Sequence, residues 1–182
     1  FEEGVLAMGS LALAMVGIVS LAPVLAQVLR PVVVPVFSFL GADPAMFAGT
    51  ILACDMGGGA LAAAMAEDPR AALLGGVLNG SMLGATLVFT IPVAMGILEE
   101  KDRPAMAKGI LCGIVTIPLG VFAGGVAAGY PLEMVLRNVV PIVLIAVLIA
   151  LGLWRAENAM VRGFAVFGKA VVVLVTVGLA AA

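Results

Sequence analysis

Two stretches of this chain, Gly4 to Leu29 and Ala71 to Leu98, contain no charged residue. A helix of about 20 apolar residues crosses the hydrocarbon core of a bilayer, so each stretch is long enough to span one. A third run, Ala105 to Tyr130, carries Lys108 as its sole charge, near one end where an ammonium group snorkels to the interface. Val139 to Trp154 is also free of charge. Only 11% of the 182 residues are charged and 64% are hydrophobic, whereas soluble domains carry about 25% charged residues. These runs fit only where lipid replaces water as solvent, and there the backbone must satisfy its own hydrogen bonds. The fold class expected is all-α: a polytopic transmembrane helical bundle of about five to six spans, multi-pass and in contact with a lipid bilayer.

The composition also excludes functions. With a net charge of −2 and no cluster of Lys and Arg among aromatics, the chain has no nucleic-acid surface. It has no histidine, hence no histidine metal ligand, general base or proton relay. Apart from Asp55 no acidic residue lies deep in an apolar run, so an enzyme would lack its second catalytic group; no catalytic residue, metal site or cofactor is expected. Cys54 and Cys112 sit in apolar runs without C-x-x-C spacing and are expected as buried packing residues.

Taken in order, the first run is expected to end at Arg30-Pro31. Val32 to Leu40, interrupted by Pro35, is too short to span, so a re-entrant or interfacial segment is expected over 31–42. Asp43-Pro44 starts a helix, the carboxylate capping free amides and the proline occupying a position that needs no donor. That helix is expected to run to about Ala66 and to carry Asp55 about 16 Å from either end, close to the bilayer midplane. Glu67 to Arg70 turns the chain into a helix whose Gly76, Gly80 and Gly84 recur every four residues, a stripe that lets a neighbouring backbone approach closely. Asn79 and Ser81 flank it. Pro131 to Asn138 is expected as a turn, Val139 to Trp154 as a span, Arg155 to Arg162 as a polar loop, and a last span starts at Gly163. Tyr130 and Trp154 then belong to opposite interfaces. No linker appears, so residues 1–182 form a single transmembrane domain. Basic residues concentrate around Lys101, Arg103 and Lys108 and around Arg155, Arg162 and Lys169, which should face the cytoplasm. Walking back puts Arg30 inside and Glu2-Glu3 outside.

The residues that point to chemistry are Asp55 and the glycines that follow it. A carboxylate at the midplane costs roughly 2.5–3.5 kcal/mol on insertion scales and is a functional candidate by default. Gly57, Gly58 and Gly59 directly after it predict an interrupted helix between about Cys54 and Gly59. A discontinuous helix frees backbone carbonyls, and together with a carboxylate these suit a small cation. Thr50, near the break, and Asn79, in the glycine-lined neighbour, are the polar side chains best placed to join Asp55, Gly57 and Gly58 as a substrate-binding set. Phe47 and Phe89 could offer ring faces to an ammonium group, though packing is the ordinary use of both. Three readings of Asp55 fit the residues: a substrate countercharge, a sodium or proton coupling site for some other solute, or a cap or ion-pair partner in a non-enzymatic structural membrane subunit.

Several runs carry a family resemblance. Phe1-Glu2-Glu3-Gly4, Ala7 to Gly17 and Leu21 to Ala26 resemble the EutH family of ethanolamine transporters, and Met46 to Gly58 does so more specifically. Gly80-Ser81-Met82, Phe89 to Ala94 and Gly113 to Pro118 continue the similarity along nearly the whole chain. The resemblance implies transport of ethanolamine across the bacterial inner membrane, with Asp55 opposite the protonated amine and an amide or hydroxyl available for the alcohol. Family members are longer, so it also implies that the chain is a fragment, with at least one span before Phe1 and several after Ala182. A homo-oligomer is compatible with it.

Overall fold

The computed structural model describes residues 24, 26–91, 94 and 98–181, and only the backbone of residues 157, 165 and 167–181. The first expected span lies mostly outside these residues. Among the described residues the secondary structure is helical throughout, without strands, and three helices are long and apolar enough to cross a membrane. The expected five to six spans are thus not reached in the described part.

Helix α1, Ala26–Phe39, passes straight through Arg30, Pro31 and Pro35. The helix end expected at Arg30-Pro31 is corrected; the stretch expected as a re-entrant or interfacial segment over 31–42 is helical to Phe39, in a helix too short to count among the membrane-length ones. The two prolines lie on the exposed side while Ala26, Val33 and Phe37 are buried on the other, so helical periodicity prevails over two missing donors. Arg30, now within a helix, donates to Ala64 O at 3.0 Å. The chain then turns at Gly41, whose φ of 69° suits a residue without a side chain.

The next element is a broken helical hairpin. Helix α2, Ala45–Ile51, ends where Leu52 and Ala53 become extended, and after a π-turn at Cys54–Gly58 helix α3, Gly59–Met65, begins. A straight helix would hold Asp43 and Glu67 about 36 Å apart at 1.5 Å per residue. Instead Asp43 Oδ1 accepts from Ala45 N at 2.8 Å, and its Oδ2 accepts from Glu67 N at 3.0 Å and Asp68 N at 2.9 Å. One carboxylate therefore closes both ends of a helical hairpin. The single spanning helix expected from Asp43 to Ala66 is corrected to two short arms that enter and leave at the same end. Asp43 and the turn before it consequently lie with Glu67 and Asp68, at the end opposite the Lys101 loop.

Helix α4, Pro69–Thr90, follows. Pro69 stands in its first turn and Asp68 caps it, accepting from Arg70 N at 2.8 Å. From Leu74 to Gly84, and again from Thr86 to Thr90, α4 is wound as a π-helix; π-turns usually come singly and at functional sites. Its glycines do what the stripe predicted. A Cβ at Gly75 would meet Ala45 O at 2.6 Å, one at Gly76 would meet Ala62 Cβ at 2.6 Å, and one at Gly84 would collide with Leu52 O. Gly49 answers from α2, where a Cβ would collide with Gly75 O. The hairpin is thus packed backbone to backbone against α4.

Helix α5, Arg103–Ala127, and helix α6, Leu132–Ala156, form an antiparallel pair behind α4. The turn expected over Pro131 to Asn138 shrinks to Ala128 to Pro131; α6 starts at Leu132, and Glu133 and Arg137 pair at i,i+4 in its first turns with 2.6 Å between them. Asn138 donates from Nδ2 to Met134 O and accepts from Asp43 N at 2.7 Å, so α6 holds the hairpin base. The polar loop expected over Arg155 to Arg162 is a kink at Ala156 (φ −148°, ψ 51°), after which residues 157–181 are helical. Met160 and Phe164 fold back on Gly152 and Leu111. The core runs through the hairpin and these helices, with Met46, Leu61, Met65 and Leu74 fully buried.

Candidate functional site

The tip of the hairpin is built by a small number of backbone choices. Ala53 O accepts from both Met56 N (3.1 Å) and Gly58 N (3.0 Å), which folds the chain sharply. Met56 sits in the sparsely populated bridge region (φ −92°, ψ 36°). Gly57 takes φ 87°, a left-handed conformation that costs an L-residue roughly 1–2 kcal/mol. The break expected between Cys54 and Gly59 is therefore present, and it opens two residues earlier, at Leu52. Because the chain leaves α2 there, the carbonyls of its last turn lose the continuing helix that would have bonded them, and they form the negative end of a helix dipole.

Asp55 stands on this tip. It is exposed rather than enclosed, its carboxylate accepts from the Cys54 thiol at 4.0 Å, and among the described residues no Lys or Arg forms an ion pair with it. Gly80 lies against Cys54, where an added Cβ would stand 3.1 Å from Cys54 N, so the tip is level with the middle of α4.

Thr50 and Asn79 are brought together. Thr50 Oγ1 donates to Met46 O at 2.8 Å, and Asn79 Nδ2 donates to Thr50 Oγ1 at 3.2 Å and to Met46 O at 3.5 Å. These partners fix the amide's orientation: a carbonyl only accepts, and the threonine hydroxyl has already spent its proton on it. Asn79 is fully buried, and among the described residues its Oδ1 has no hydrogen-bond partner. Neither Thr50 nor Asn79 bonds to Asp55. The site therefore has two parts, a buried amide node and an exposed carboxylate turn that carries Gly57 and Gly58, joined through the contact of Gly80 with Cys54.

Other expectations come out differently. Cys54 is half-buried and Cys112 exposed, so neither is the buried packing residue anticipated; Cys54 lies in the turn and Cys112 on the outer side of α5. Phe47 packs edge-on against Phe37, with centroids 6.1 Å apart, in keeping with the packing use. Sequence reasoning missed Asn138, hidden inside an expected turn, and the cavity it helps line. That cavity, about 630 Å³, opens at the hairpin base between Asp43, Glu67, Asp68 and the start of α6 at Glu133 and Arg137. Within it the hydrogen-bonded Arg70 guanidinium, helped by the Arg70 amide, holds the Asp68 carboxyl below the usual carboxylate range.

Among the described residues the structure is all-helical, with apolar helices of membrane-spanning length and a glycine-packed, broken hairpin, the build of a helical membrane protein. The family model described as "Ethanolamine utilisation protein, EutH" matches residues 1–182, and the chain belongs to that family. It is 57% identical over 181 residues to a "Probable ethanolamine permease EutH" of Listeria monocytogenes and 53% identical over 195 residues to proteins of that name in Salmonella typhimurium and Escherichia coli. Each match covers 100% of this chain and 48% of the relative. The chain thus spans about half the length of the curated relatives it matches. No solved structure matches it.

Proposed function

We propose that this chain forms part of the substrate pathway of a multi-pass ethanolamine permease of the bacterial inner membrane, a transporter and not an enzyme, and that the hairpin tip is where the amine binds. The observation that carries the reading is the carboxylate of Asp55, without an ion-pair partner among the described residues, on a broken helix beside the negative end of α2. Ethanolamine is protonated at neutral pH and presents a compact ammonium group. A carboxylate and half-helix carbonyls complement that group, and Gly57 and Gly58 let the backbone come close to it. Thr50 and Asn79 adjoin the tip and complete the candidate set. The relatives' names supply the substrate, and the chemistry of the tip agrees with it.

Uptake of labelled ethanolamine into cells carrying the complete gene tests this directly. Asp55→Asn, at unchanged membrane abundance, should lower uptake at least about tenfold, as expected when a charge-assisted contact worth about 1.5–3 kcal/mol is lost. Asp55→Glu should retain part of it. Full uptake by Asp55→Asn would remove Asp55 from the mechanism.

A further inference from the structure

An acceptor with no donor inside a packed interior costs about 1–3 kcal/mol, and native structures rarely keep one without a use. Asn79 Oδ1 is such an acceptor. The donors nearest to it by sequence are already engaged: Thr50 Oγ1 points at Met46 O, and Asn79's own Nδ2 faces the two oxygens on the α2 side. The oxygen sits in the π-wound part of α4, one residue from the glycine that touches the Asp55 turn. The seam between them is lined by Gly49, Gly76, Gly80 and Gly84 rather than by interlocking side chains. Across it the hairpin tip, with Gly57 in the left-handed region and Met56 in the bridge region, is the part of the wall built on unusual backbone.

We infer that Asn79 Oδ1 is the acceptor for the hydroxyl of the bound amino alcohol, which makes Asn79 the residue that distinguishes an amino alcohol from a plain alkylamine. The inference rests on the tip being the amine site, and it adds a requirement that the charge alone does not impose: the substrate must bring a hydrogen-bond donor at its far end. Asp55 reads the ammonium and Asn79 reads the O–H. Thr50 positions the amide, holding Nδ2 so that Oδ1 is the atom left free. A site built to bond a hydroxyl rejects analogues lacking it far more strongly than an apolar pocket rejects a missing methylene.

Competition against labelled ethanolamine uptake, in cells carrying the complete gene, separates the possibilities. Ethylamine lacks the oxygen, and 2-methoxyethylamine keeps the oxygen but not its proton. Wild type should bind both at least about 100-fold more weakly than ethanolamine. Asn79→Leu should bring ethanolamine to within a few fold of ethylamine while leaving ethylamine's own inhibition constant unchanged. If wild type binds 2-methoxyethylamine as well as ethanolamine, the inference fails without recourse to any variant. It fails equally if Asn79→Leu weakens ethanolamine and ethylamine by the same factor, the result expected of a purely structural amide or one served by a buried water. A failure of the underlying reading looks different: Asp55→Asn would then take up and bind ethanolamine as wild type does, whatever the Asn79 variants show.

Discussion

Asp43 shows what a single side chain can settle. The pair Asp43-Pro44 announces a helix start, and the capping bond to Ala45 N was legible for that reason. Its second oxygen was not legible, since nothing local says that the amides of Glu67 and Asp68, more than twenty positions on, will return to it. The carboxylate is 8% exposed, so amides deprived of it find little water in compensation. Asp43→Ala should therefore destabilise the protein by about 2–4 kcal/mol, with Asp43→Asn, which loses one acceptor, in between. Thermal unfolding in detergent measures this. A loss no greater than that of an ordinary exposed cap, about 1 kcal/mol, would mean that the hairpin base is held by packing instead. Asp55 presents the opposite case. Its identity as the odd residue in an apolar run was plain from the sequence, but its exposure was not, because burial depends on what folds beside it.

At the scale of elements, the glycines were the most legible feature, and they also divide most sharply on inspection. The stripe at Gly76, Gly80 and Gly84 called for a close neighbour, and the hairpin is that neighbour. Gly109 and Gly113 in α5 have the same spacing, and an added Cβ at either position meets nothing within 4 Å. Spacing alone could not separate the two, since a small-residue stripe permits approach without requiring it. Substitution should separate them. Gly49→Ala and Gly84→Ala place a methyl into opposing backbone and should cost about 1–3 kcal/mol or more. Gly109→Ala and Gly113→Ala should be neutral or stabilising by up to about 1 kcal/mol, from helix propensity. Detergent-solubilised melting temperatures of the four variants provide the comparison; equal effects across both pairs would show that the α4 seam is looser than described. The break itself was legible from Gly57 to Gly59. The reversal it produces was not, because an apolar run has the same hydropathy whether it crosses the bilayer or turns back within it.

That reversal changes the plan of the whole molecule. With a straight helix from Asp43 to Ala66, the turn before Asp43 belongs with the Lys101 loop, and Glu67 and Pro131 belong to the opposite side. With the hairpin, Ser38, Glu67 and Pro131 line one cavity, and only Lys101 is across from them. The same apolar runs are present in both plans; what differs is how many of them cross, and one crossing fewer inverts every assignment upstream of Asp43. The counting of basic residues that orients the Lys101 loop toward the cytoplasm applies to the helices after Pro69 alone; it cannot be carried back through the hairpin as though it were a span. Single cysteines at Ser38, Glu67, Pro131 and Lys101, in the complete protein with Cys54 and Cys112 replaced by alanine, discriminate between the plans. A membrane-impermeant maleimide should label Ser38→Cys, Glu67→Cys and Pro131→Cys from one face and Lys101→Cys from the other. Labelling of Ser38→Cys together with Lys101→Cys would restore the spanning helix, return Asp55 to the middle of a continuous crossing, and remove the two-armed tip on which the proposed amine site depends.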